Sequence, residues 1–177
     1  KRVVAPLEVD YPAEEIAIHA ALNEYTRLRR QDSKAQGAKG TADLVTLLLK
    51  KRLFSSPAAF YNTLELHMRT LERAGTKSNS REVGELFDRL DDDWDDDDAL
   101  ATAEEEALAA AANATGTTTP EQKALLDQMM SWAASNSRRA DAKTHRLIDW
   151  IRATCCPTED KKGNLAWNDE QIGRAHV

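Results

Sequence analysis

Apolar residues recur at intervals of three and four along most of this chain, the spacing of helices that bury one face. The exception is the start. Arg2 to Asp10 carries Val3, Val4, Leu7 and Val9 in loose alternation and predicts a short strand. Pro12 then stands where a first helical residue belongs, with Glu14 and Glu15 in the first turn. Proline needs no amide partner there, and acids suit the positive end of the helix dipole. Ile18, Leu22, Tyr25 and Leu28 form the stripe of this helix, and Arg27, Arg29 and Arg30 close its last turn. Gln31 to Gly40 reads as a polar loop. Thr41 is placed to cap a second helix bearing Leu44, Val45, Leu48 and Leu49.

Ser56-Pro57 restarts the chain, because serine is a good N-cap and proline a good first residue. Phe60, Leu64, Met68 and Leu71 form the next stripe, and Gly75 is placed to end that helix. Two apolar-faced helices joined by so short a turn are expected to pack as an antiparallel hairpin, with Leu48 and Leu49 facing Phe60 and Leu64. Val83, Leu86, Phe87 and Leu90 predict a short amphipathic helix. The alanine-rich stretch 99–114 has strong helix propensity but a weak apolar face, so it is expected to pack loosely or project. Thr119-Pro120-Glu121-Gln122 fits a capping box, followed by Leu125, Leu126, Met129 and Trp132 as a buried stripe. Asp141 is placed to cap a last helix with Leu147, Ile148 and Ile151 on one face, and Pro157 prevents its continuation. Leu165 to Trp167 suggests an approach to another strand.

Composition agrees with a mainly all-α fold: a helical hairpin or bundle with a short N-terminal strand and a disordered acidic insert. The 177 residues suffice for one domain with a core, and aromatic content is only 6%. No apolar run approaches ~18–20 residues, so no membrane span is expected. The opening KRVVAPLEVDYP lacks the apolar centre of a signal peptide and has no initiator methionine, as in a fragment. Adjacent Cys155 and Cys156 match no zinc spacing and read as reduced thiols in a cytoplasmic protein. The net charge of −6 is unevenly spread. Between Glu85 and Glu106, twelve acids face Arg89 alone, which makes that segment −11 and the remainder +5. A mildly basic body with an acidic insert suits a nucleic-acid machine better than the total does.

The run Asp91 to Asp98 lacks the glycine and terminal glutamate of a calcium loop, and reads as a solvated loop that can oppose a basic surface electrostatically. His19, His67 and His145 are scattered without ligand spacing. Trp132 and Trp150 read as core residues, and Ser55 and Ser56 as turn and cap residues.

One stretch is more specific. LLLKKRLFSSPAAF, Leu47 to Phe60, resembles a signature of bacterial Swi/Snf-like DNA helicases of superfamily two, including those of DISARM-type anti-phage systems. In that family it lies between the two motor lobes. KRVVAPLEVDYPAEEIAIHAALNEY is similar to the end of a first lobe, DAKTHRLIDWI to the helix that introduces the second, and WNDEQ to the start of the next strand. The resemblance divides the chain into the end of a first lobe (1–11), a helical inter-lobe region (12–75), a variable acidic and alanine-rich insert (76–118), helices leading to the second lobe (119–154), a connector (155–171) and a tail (172–177). That tail, Ile172 to Val177, resembles translated read-through of a sequencing adapter.

The resemblance implies a mechanical role: linking the lobes of an ATP-dependent DNA helicase or translocase and touching the duplex. Lys50, Lys51 and Arg52, with Arg27, Arg29 and Arg30, are the candidate contacts to the DNA backbone. Such contacts add affinity without sequence specificity. The chain has no GxxxxGK[ST] loop, no Asp-Glu magnesium box and no arginine-rich motif of a second lobe. It is therefore expected to carry no catalytic, cofactor-binding or metal-binding residue. ATP and magnesium belong to the missing lobes, and the expected partners are those lobes and DNA. The alternative is a stand-alone helical interaction module whose acidic loop recruits a basic partner.

Overall fold

The computed structural model describes residues 6–35, 39–73, 80–91, 96–115, 117–156, 158–159 and 165–166. Among them the fold is all-α. In chain order the helices are α1 Ala13–Ala35, α2 Lys39–Ser55, α3 Pro57–Arg73, α4 Ser80–Asp88, α5 Asp97–Thr115, α6 Pro120–Asn136 and α7 Ala142–Cys155, with a 3-10 turn at Arg89–Asp91. The β-structure of the described residues is one two-residue antiparallel pair, Thr158–Glu159 against Leu165–Ala166.

The chain divides into two compact units, Ala13–Arg139 and a discontinuous one joining Lys1–Pro12 with Ala140–Val177. In the first unit, α3 packs against α2, α5 and α6, while α1 lies on α2 and α6, and α4 on α2 and α5. One hydrophobic core unites all six helices, from Ile18 on α1 to Ala133 on α6. Burying whole side chains such as Phe60, Leu49 and Leu64 stabilises it by roughly 1.5–3 kcal/mol each.

Local signals set the helix starts. Glu14 and Glu15 occupy the first turn of α1, directly after Pro12. Thr119 caps α6 in a full capping box: the Gln122 N–H donates to Thr119 Oγ1 at 3.3 Å, and the Thr119 N–H donates to Gln122 Oε1 at 3.2 Å. In the second unit, Asp141 caps α7, its carboxylate accepting from the Thr144 N–H at 2.8 Å. Burial pushes the Asp141 carboxyl up, but hydrogen bonds from Thr144 and the nearby Lys143 charge outweigh it and hold its pKa below the usual range. Arg146 on α7 donates to the Glu8 carbonyl oxygen at 3.2 Å, tying the two segments of that unit together.

Several expectations are corrected. Pro6 to Asp10 is irregular, and residues 1–5 lie outside the described set. Pro6 has no N–H to give a ladder, and no described strand pairs with the segment. α1 runs one turn past Arg30, since neither glycine nor proline interrupts it before Gly37. Thr41 lies inside α2 and is buried, so it is not that helix's cap.

The alanine-rich stretch is neither loose nor projecting. α5 packs along α3, with Ala107, Leu108 and Ala111 fully buried. Alanine contributes little hydrophobicity per residue, but its small side chain lets helix backbones approach closely, and α3 supplies the opposing surface. The described part of the insert is thus helical over Ser80–Asp88, Arg89–Asp91 and Asp97–Thr115, while 92–95 lie outside the described residues. Trp150 is not core: it is 43% exposed, as are Leu147 and Ile148 in large part, because the core draws only on helices of the first unit. Trp132 is half-buried against that core. Gly75, Pro157 and the tail 172–177 also lie outside the described residues.

Candidate functional site

The segment Leu47 to Phe60 forms the end of α2, a break at Ser56 and the start of α3. Pro57 has no N–H to donate to Leu53, and a residue before proline disfavours helical backbone, so α2 stops there. The Ser56 N–H still donates to the Arg52 carbonyl at 3.1 Å, and Ser56 Oγ accepts from the Ala59 N–H at 3.1 Å, capping α3. Leu48, Leu49 and Leu53 enter the same core cluster as Phe60 and Leu64, as expected of the hairpin. The opposite face is exposed, with Leu47 63% and Phe54 56% accessible around Lys51. The Phe54 ring lies 4.9 Å from that of His19 on α1.

The six candidate cations do not share one environment. Lys51 is exposed and Lys50 half-buried on α2. Arg27 makes two hydrogen bonds to Glu24 on its own helix, at 2.8 and 2.6 Å. Arg30 pairs with Asp43 on α2. Arg52 pairs with the largely buried Glu104 on α5. Arg29 is only 4% exposed and cannot present its guanidinium to a duplex. It continues the stripe Ile18, Leu22, Tyr25 at helical spacing, which carries it into the interior.

Inside, Arg29 belongs to a polar network that the apolar pattern does not reveal. Its Nη1 donates to Gln122 Oε1 on α6 at 3.4 Å, and Gln122 Nε2 donates to Asp32 on α1 at 2.6 Å. Tyr25 on the same helix bonds His67 on α3 at 2.7 Å. Gln122 and His67 occupy core positions of their helices just as Arg29 does. Burial drives the His67 pKa down to about 3, and the Arg29 charge acts in the same direction. Burial raises that of Tyr25 to about 12 against the opposing effect of Arg29. Both groups are neutral at physiological pH. Their hydrogen bond ties α1 to α3 in the interior.

Two open clefts flank the Arg52–Glu104 pair. One, of about 280 Å³, runs between α2, α4 and α5 and is walled by Leu44, Leu48, Phe87 and Leu90. The other, of about 240 Å³, lies between α2, α3 and α5 beside Ala59, Asn62 and Thr63. Arg69 and Arg73 on α3 both face Glu105, at 3.4 and 3.9 Å. These two arginines and their acid partner were not singled out from sequence. Their i,i+4 spacing was visible, but their pairing with a residue more than thirty positions away was not. Cys155 and Cys156 are free thiols at the end of α7. No group of three or more His, Cys, Asp or Glu side chains suited to a metal ion occurs among the described residues. No described helix is long and apolar enough to cross a membrane.

No protein-family model, no curated protein and no solved structure matches the chain.

Proposed function

We propose that the chain is the inter-lobe helical segment of a Swi/Snf-like, ATP-dependent DNA helicase or translocase, acting in the cytoplasm. It positions the two motor lobes and touches the DNA backbone, while ATP and magnesium are handled by the lobes. The observation that carries this reading is the order of the units. A continuous helical body, Ala13–Arg139, is inserted between two segments that come together in one separate unit. This connectivity supports reading the body as an element inserted within a larger protein. The resemblance of Leu47 to Phe60, at the α2–α3 corner of this body, is what supports reading that protein as a Swi/Snf-like motor.

Two measurements test it. The reading frame in the genome should continue on both sides into motor motifs, and a natural start and stop flanking this chain would refute the proposal. The purified chain should hydrolyse no ATP with or without DNA. DNA-stimulated turnover abolished by a substitution within the chain would also refute it.

A further inference from the structure

We propose that Arg69 and Arg73 form a phosphate-binding fork for duplex DNA, and that Glu105 occupies it as an intramolecular substitute for phosphate. The identity of the polyanion rests on the reading above, whereas the fork itself rests on geometry. Arg69 and Arg73 are one helical turn apart on α3, so their side chains rise from the same face about 6 Å apart. That is the scale separating successive phosphates of one strand. Both guanidinium groups converge on one oxygen of Glu105, at 3.4 and 3.9 Å. A single carboxylate oxygen therefore faces two cations. Guanidinium groups offer planar, paired donors that match phosphate as well as carboxylate.

The two acid–base contacts along α5 differ in kind. Arg52 and Glu104 are mostly withdrawn from water, with side chains 29% and 10% exposed, and anchor α5 to the end of α2. Opening that pair would strand a charge at low exposure. Arg69, Arg73 and Glu105 are 47%, 70% and 46% exposed, so their pairing is weak and exchangeable. A phosphate can displace Glu105 while Arg52 and Glu104 keep the helix in place. The cleft of about 240 Å³ along the same α3–α5 seam has exposed Asn62 in its wall, toward the other end of α3, where a further backbone contact is available. The acidic helix thereby lowers nonspecific DNA affinity at the residues it covers.

The test uses the whole 177-residue chain and a fluorescent duplex of about 20 base pairs at low salt, where phosphate contacts are strongest. Glu105→Gln should tighten binding by about threefold, an advantage that shrinks as salt rises. Asp127→Asn, on the exposed face of α6, makes the same change in net charge and should leave affinity nearly unaltered. Arg69→Gln with Arg73→Gln should abolish the gain from Glu105→Gln. Thermal unfolding should be nearly the same for all of these surface variants. Equal gains from Glu105→Gln and Asp127→Asn would reduce the effect to total charge and overturn the site. Undiminished binding without the two arginines would overturn it as well. Tighter binding of polyglutamate than of DNA would assign the fork to an acidic protein instead. None of these outcomes depends on the reading frame that decides the motor proposal.

Discussion

The Tyr25 hydroxyl and His67 Nε2 lie 2.7 Å apart in the interior, joining α1 to α3 across 42 residues of chain. The folded protein takes up a proton at His67 only near pH 3, whereas the unfolded chain does so near pH 6.5. The stability contributed by keeping this ring neutral is therefore complete above pH 6.5 and lost as pH falls toward 3. The loss approaches about 1.4 kcal/mol per pH unit within that window. Urea unfolding should show a larger loss of stability between pH 7 and pH 5 for the wild type than for His67→Gln. Identical losses would mean that His67 titrates normally.

Gln122 closes the capping box of α6 and also accepts from Arg29 and donates to Asp32. Gln122→Ala removes the reciprocal cap and takes one hydrogen-bond partner from a buried guanidinium, so it should cost about 2 kcal/mol. Lys123→Ala, next in sequence but exposed, should change stability little. Equal effects of the two substitutions in denaturant melts would show that the network adds nothing.

Phe60 is completely buried where α2 and α3 meet the core. Phe60→Ala should destabilise by about 3 kcal/mol through lost burial and the cavity left behind. A shift in the unfolding midpoint equivalent to less than about 1 kcal/mol would mean the site collapses around the gap or is not packed.

Ala107 is fully buried on α5, while Ala101 on the same helix is exposed. Ala107→Leu should cost about 1–3 kcal/mol by overfilling the core that α5 packs into, whereas Ala101→Leu should be tolerated. Similar melting temperatures for both variants would show that α5 does not pack closely.

What the sequence determined by itself was local. The break at Ser56-Pro57, the box from Thr119 to Gln122 and the Asp141 cap each depend on groups within four residues of one another, so residue order suffices to specify them. The apolar stripes likewise placed α1, α2, α3 and α6 and brought Leu48, Leu49, Phe60 and Leu64 into one core. The tertiary structure decided which polar residues go inside. Arg29, His67 and Gln122 stand at core positions because partners on other helices satisfy part of their hydrogen-bonding capacity, and periodicity of apolar residues contains no record of such partners. It also decided the standing of α5, whose alanines bury well only because α3 offers a surface for close approach. For the same reason the fork of Arg69 and Arg73 around Glu105 was not legible along the chain. Charge and spacing can be read residue by residue, but which acid meets which base depends on how the helices pack.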